Sequence, residues 1–150
     1  MFERIRSLLE GSPIDPEGEM RIAVAALLCE AARMDDHFDE SERATIESLL
    51  IDHFHLSREE AQRLEEAGEE AERQSTHIYR FTHLLVQKLS PEQRVEIIEM
   101  LWEVAYADGT LDPEEDALIR KIAGLLYVPD RDRGSARKRA MERLGIPLTQ

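Results

Sequence analysis

The 150-residue sequence contains a single cysteine, Cys29, which lies inside an apolar run. One thiol can form no disulfide within the chain, and this fits a reducing compartment. We expect Cys29 to be a small buried residue, because its helix face carries no basic group that would activate a thiol. The chain begins without the apolar stretch of a signal peptide, and no run approaches the length that spans a bilayer. These absences predict a cytoplasmic protein.

Basic residues are also scarce. Lysine and arginine number 19 against 32 aspartate and glutamate residues, so the formal net charge is −13. This charge argues against nucleic-acid binding, because phosphate recognition needs a basic surface. Six of the bases lie within residues 131–143, where only two acids occur. This basic segment either docks on an anionic membrane surface, a membrane protein or an acidic partner, or forms a last helix whose bases pack on the acidic body.

Strand patterns are absent, because no segment alternates apolar and polar residues with β-branched side chains. Helix starts are instead marked by capping residues, three of them followed by proline, at Asp15, Ser57, Ser90 and Asp112. The sequence therefore predicts an all-α fold, a compact array in one domain over residues 1–150. The eight predicted helices cover about residues 2–10, 17–34, 40–54, 58–73, 75–89, 91–106, 113–126 and 132–143.

Apolar positions at helical spacing define the expected core. The helix at about 58–73 has few apolar residues and an internal glycine, Gly68, which weakens a helix by roughly 1 kcal/mol. We therefore expect it to be the most exposed helix, at the periphery of the array. The residues that we expect in a shared core are Leu28, Ile46, Leu49, Leu101, Ile119 and Ile122.

A short acidic turn occurs twice, 73 positions apart. The first copy reads Ala32-Arg-Met-Asp35-Asp-His-Phe-Asp39-Glu-Ser-Glu42, and the second reads Ala105-Tyr-Ala-Asp108-Gly-Thr-Leu-Asp112-Pro-Glu-Glu115. The register continues outside the turns, where Leu28 matches Leu101 and Ile46 matches Ile119. An internal repeat of this kind predicts two related helical units, at about residues 20–64 and 93–137.

The turns place three carboxylates each at matching positions. Neither turn is an EF-hand, because the first two ligand positions of the second copy would fall on Val104 and Tyr106. Two such turns that converge about a pseudo-twofold axis would still form a site, since their carboxylates would repel without a cation. Oxygen ligands favour Ca²⁺, Mg²⁺ or Mn²⁺. The candidate metal ligands are Asp35, Asp39, Glu42, Asp108, Asp112 and Glu115.

The same residues have a structural interpretation as helix caps. Asp39 and Asp112 are good N-cap residues, and Glu42 and Glu115 are at the position that completes a capping box. Only Asp35 and Asp108 have no capping role in this interpretation. The residues alone leave both interpretations open.

The pattern Ala-x-x-Asp-Gly-x-Leu-Asp-x-Glu-Glu, which follows a helix containing Trp102, resembles the TerB family of tellurite-resistance proteins. The wider TerB-like group includes the N-terminal region of the DjlA co-chaperones. The similarity covers about residues 20–128, and the first copy departs from the pattern where Asp36-His37-Phe38 replaces the glycine and the apolar residue. The resemblance implies an all-helical duplication whose acidic turns are proposed metal sites, with the six carboxylates as ligands by matching position.

No catalytic arrangement stands out, because the sequence shows no metal-binding histidine pattern, nucleophile with a matched base or glycine-rich phosphate loop. We therefore predict that the protein is not an enzyme. The resemblance implies a cytoplasmic protein of tellurite or metal stress response, with a divalent cation as ligand and a protein partner. The alternative is a metal-free interaction module, co-chaperone-like or an adaptor of a membrane complex, that docks through helix 58–73 or the basic segment. The His-Pro-Asp tripeptide of a J-domain is absent.

Overall fold

The computed structural model describes residues 16–35, 38–107 and 111–148. Within these ranges the protein is all-helical, as the sequence predicts, with seven α-helices, one 3₁₀ helix and no strand. The helix predicted at about residues 2–10 lies outside the described residues. In chain order the elements are α1 (Pro16–Ala32), the 3₁₀ helix (Arg33–Asp35), α2 (Glu40–Phe54), α3 (Arg58–Gln74), α4 (Tyr79–Lys88), α5 (Pro91–Ala105), α6 (Pro113–Leu125) and α7 (Asp130–Leu144).

The predicted caps at Ser57 and Ser90 begin their helices where the sequence places them, and the predicted cap at Asp15 lies outside the described residues. The Ser57 hydroxyl accepts a hydrogen bond from the Glu60 amide at 3.1 Å, and the Glu60 carboxylate accepts one from the Ser57 amide at 2.8 Å. Ser90 and Gln93 form the same reciprocal pair at the start of α5. These capping boxes satisfy amides that would otherwise lack partners in the first turn of each helix.

Helix α1 forms the centre of the fold. Every residue from Ile22 to Cys29 is at most 1% exposed. A helix that is apolar on all sides must be covered on all sides, and α1 contacts each of the helices α2 to α6. No helix in the described ranges combines the length and apolarity needed to cross a membrane.

The predicted core is confirmed at five of its six positions. Leu28, Leu101 and the three isoleucines are fully buried. Leu49 is the exception, because it lies half-buried on α2 and packs against the core from outside. Helical spacing selects the correct face of α2, but Leu49 is at the edge of that face, where the helix meets solvent.

Helix α3 contradicts the prediction of an exposed peripheral helix. It packs along α1 more extensively than any other helix does, and its inner face buries small residues and one leucine. The two helices lie close together at Gly68, since a Cβ atom built there would lie 2.5 Å from Cβ of Ala25. The prediction failed because it took few apolar residues and a glycine as signs of exposure, whereas these mostly small residues let α3 pack closely on α1.

The two halves of the chain share their main helix pairing. Helix α1 packs chiefly against α3, and α5 packs chiefly against α7. In each half the first helix therefore packs against the third. An internal duplication predicts this arrangement, and the duplication itself stays a prediction.

Candidate cation site at the acidic turns

The first acidic turn connects the 3₁₀ helix to α2. Asp39 is the N-cap of α2, where its Oδ1 accepts a hydrogen bond from the Glu42 amide at 3.0 Å. Glu42 Oε1 accepts one from the Asp39 amide at 3.3 Å, so the predicted capping box is confirmed. A carboxylate has two oxygens, and this cap uses one of those on Asp39. Capping and cation binding are therefore chemically compatible at this residue.

The second acidic turn leads into α6. Asp112 is the N-cap of α6, and its Oδ1 accepts a hydrogen bond from the Glu114 amide at 2.7 Å. This bond goes to the second helical amide, whereas the Asp39 cap in the first turn goes to the third. Glu115 is buried, while Glu42 at the matching position is half-buried. The two turns therefore begin their helices with different cap geometry.

Two of the six predicted ligands have no described side chain. Asp108 lies outside the described residues, and for Asp35 the structure describes only the backbone, at the end of the 3₁₀ helix. The 3₁₀ helix contacts α6, which brings the first turn against the helix that follows the second. In the part of the chain that the structure describes, no three His, Cys, Asp or Glu residues form a group that could hold a metal. The six-carboxylate ligand set stays a prediction.

Two arginines flank the first turn, and no sequence pattern marks them as functional. The guanidinium carbons of Arg33 and Arg43 lie 5.0 and 4.7 Å from the centroid of the Phe38 ring. Both arginines also pair with Glu69 of α3, at 3.6 Å for Arg33 and 3.0 Å for Arg43. Arg33 reaches Glu72 as well, at 2.6 Å. These contacts fix both sides of the turn to α3.

Glu65, one turn before Glu69 on α3, is a buried carboxyl group that is 1% exposed. Burial and a hydrogen bond with Glu69 raise the pKa of Glu65 to about 9. Burial alone would also raise the pKa of Glu69. Hydrogen bonds from Glu65 and Arg43 outweigh burial, however, and the pKa of Glu69 is lowered. At neutral pH Glu65 therefore keeps its proton and donates a hydrogen bond to the Glu69 carboxylate.

Cys29 lies beside this carboxyl pair. Its Sγ is 3.8 Å from Oε2 of Glu65. Burial, together with the nearby carboxylates, raises the pKa of the Cys29 thiol well above its usual value. The predicted burial of Cys29 is confirmed, and a thiol that keeps its proton is a poor nucleophile.

We expect Glu65→Gln to stabilise the protein by an amount that grows as the pH rises from about 4.5 to about 9, and to have its smallest effect near pH 4. The pKa of Glu65 is about 9 in the folded protein against an ordinary value of 4.5. The folded state therefore binds an extra proton between these values, and stability falls as pH rises through that window. Glutamine keeps a hydrogen-bond donor for Glu69 but has no proton to lose.

Urea unfolding between pH 4 and pH 9 measures this effect, and Glu66→Gln on the exposed face of α3 is the control. The control should follow the pH dependence of the wild type, while Glu65→Gln should flatten it. An undiminished pH dependence in Glu65→Gln would show that Glu65 is ionised in the folded protein.

The basic segment, residues 131–143, forms most of α7. Arg139 pairs with Glu99 of α5 at 2.6 Å, and Arg143 pairs with both Glu99 and Glu103 at 2.6 Å. For these two arginines, the interpretation that the bases pack on the acidic body is confirmed. Docking of this segment on a membrane or a partner stays a prediction.

Comparison with known proteins identifies the family. The family model described as tellurite resistance protein TerB matches residues 21–138. The match extends from α1 into α7 and includes both acidic turns. No curated protein and no solved structure gives a significant match. As the repeated motif predicts, the chain belongs to the TerB family of tellurite resistance proteins.

Proposed function

We propose that this protein binds a divalent cation through its two acidic turns and acts, without catalysing a reaction, in the cytoplasmic response to tellurite or metal stress. Family membership supports the stress role. The observation that supports the shared site is the contact between the 3₁₀ helix, which ends at Asp35, and α6, which begins after Asp112. Two turns can hold one cation only if they lie on neighbouring elements.

The donor set fits a hard cation. All six candidates are carboxylates, and Ca²⁺, Mg²⁺ and Mn²⁺ prefer oxygen ligands. The caps already use Oδ1 of Asp39 and of Asp112, so these residues would bind a cation through their second oxygens. Because each turn then supplies only a few oxygens and water completes the shell, we expect weak affinity.

Calorimetric titration of the metal-free protein with Ca²⁺, Mg²⁺ and Mn²⁺ tests this proposal. We expect weak binding that either Asp35→Asn or Asp108→Asn reduces. These two positions are informative because the sequence predicts no capping role for either, whereas loss of a cap at Asp112 would itself cost about 1 kcal/mol. Asp132→Asn, on the exposed surface of α7, makes the same charge change away from the turns and is the control.

Thermal unfolding gives a second measurement of the same binding. A cation that binds only the folded protein stabilises it by an amount that grows with the logarithm of its concentration. If the wild-type protein shows neither heat of binding nor a shift in unfolding temperature at millimolar cation, the acidic turns are caps only. Equal loss in Asp132→Asn would instead mean diffuse attraction to an acidic surface.

The second candidate function is a metal-free protein-interaction module, either co-chaperone-like or an adaptor of a membrane complex. It is favoured by the caps, because Asp39, Glu42 and Asp112 have structural roles that need no cation. Helix α3 offers such a partner only its outer face, since its inner face packs against α1. A negative result in the cation titration would favour this function.

A further inference from the structure

A groove lies between α2, α5 and α7. It consists of two adjoining cavities of about 360 and 390 Å³, which share Leu49, Asp52 and Glu103 as lining residues. Apolar surface comes from Leu49 and from Leu144, which is 41% exposed although it is a large hydrophobic residue. Asp39, Glu42, Asp112 and Glu115, the candidate cation ligands whose side chains the structure describes, do not line this groove.

The walls of the groove carry uncompensated negative charge. Asp52 and Glu96 are exposed carboxylates on α2 and α5. Among the described residues Asp52 has no ion-pair partner, and the ion-pair contact of Glu96 is with Nδ1 of His53 at 3.7 Å. Burial lowers the pKa of His53 below its ordinary value of 6.5, so the imidazole is neutral at pH 7. The histidine therefore does not balance these acids.

Arg143 shows which chemistry this groove accepts. Its guanidinium lies between Glu99 and Glu103, with nitrogen–oxygen distances of 2.6 Å to each. The two glutamates are buried, while the Arg143 side chain is 56% exposed. The groove thus already binds one cationic side chain from its solvent side. Asp52 and Glu96 line the same cavity without such a partner.

We propose that this groove docks a basic amphipathic segment of a partner protein. Arginine or lysine side chains of this segment pair with Asp52 and Glu96, and apolar side chains of the segment cover Leu49 and Leu144. The charge of the walls selects a basic partner. Helices that present an apolar stripe commonly bind in such grooves between helices.

The test uses a fluorescent amphipathic peptide of about 14 residues, four helical turns, with leucine on one face and arginine elsewhere. We expect the full-length protein to bind it and Asp52→Asn combined with Glu96→Gln to weaken binding about tenfold, since two charge pairs are lost. Glu59→Gln combined with Glu66→Gln removes the same charge from the outer face of α3 and should leave affinity unchanged. A matched peptide with glutamate for arginine should not bind.

The apolar contact has its own matched pair of variants. Leu144→Ser should weaken peptide binding, whereas Leu148→Ser, at a residue that is 52% exposed and does not line the groove, should not. The proposal is overturned if the wild-type protein does not bind the peptide, or if the control variants lose as much affinity as the groove variants.

The proposal of a partner protein is also overturned if the groove is occupied by one of two other segments. A dimer in sedimentation that Leu144→Ser abolishes would identify a second copy of the chain in the groove. Stronger peptide binding by Arg4→Glu combined with Arg6→Glu would identify competition from the first residues of the chain itself.

Discussion

The Gly68→Ala variant is expected to unfold more easily than the wild type, although alanine is the better helix former. The added Cβ would lie 2.5 Å from Cβ of Ala25 and 2.9 Å from the Ala25 carbonyl carbon, so α1 and α3 would have to separate. Overpacking of this kind costs up to about 3 kcal/mol, and the gain in helix propensity offsets only about 1 kcal/mol. We expect a net loss of about 2 kcal/mol in the free energy of unfolding.

Denaturant unfolding measures this loss, and Gly134→Ala is the matched control. Gly134 lies within α7, and a Cβ atom there would meet nothing within 4 Å. This substitution should stabilise the protein by up to about 1 kcal/mol, because only helix propensity changes. If both variants are stabilised, α1 and α3 do not approach as closely as the structure shows.

Leu101→Ala is expected to destabilise the protein by about 2–5 kcal/mol, because it removes a fully buried side chain and leaves a cavity. Leu101 is 0% exposed and lies on α5, which packs against α1, α6 and α7. The unfolding midpoint in denaturant measures the effect, with Leu148→Ala at the exposed end of the chain as control. An unchanged midpoint for Leu101→Ala would remove this residue from the core.

Capping residues in the sequence predicted most helix boundaries, and the start of α4 is an exception that shows why such predictions fail. The sequence predicts a helix from about residue 75, whereas α4 begins at Tyr79. Ser75 has the character of an N-cap residue, but here it ends α3, with its amide bonded to the Ala71 carbonyl at 3.1 Å. The start of α4 has no side-chain cap at all, since Ile78 precedes it. A helix without a cap gives no local signal of where it begins.

Contacts between distant helices could not be predicted from local spacing. Glu69 lies 26 positions from Arg43 along the chain, and helical periodicity indicates only that Glu69 shares a face with Glu65. Their burial follows from the close packing of α1 on α3, which depends on Gly68 and small neighbours. A helix that the sequence predicts to be exposed therefore contains a buried carboxyl pair.

The sequence predicted the local role of some candidate ligands, but it could not predict whether the two turns lie close together. The spacing of Asp39 and Asp112 predicts N-caps, and both residues cap helices. Whether the two turns meet depends on how α1 and α5 pack, and the sequence of either turn does not determine that packing. The contact between the 3₁₀ helix and α6 comes from the structure alone.

Amide NMR during a Ca²⁺ titration shows whether the two turns bind one cation together. The full-length protein is titrated in about 0.15 M salt, where diffuse attraction between exposed charges is screened beyond about 8 Å. We expect amide signals of both turns, including those of Asp35 and Asp108, to shift along one common binding curve. Shifts confined to one turn, or spread evenly over the acidic surface, would show that the turns do not form a shared site.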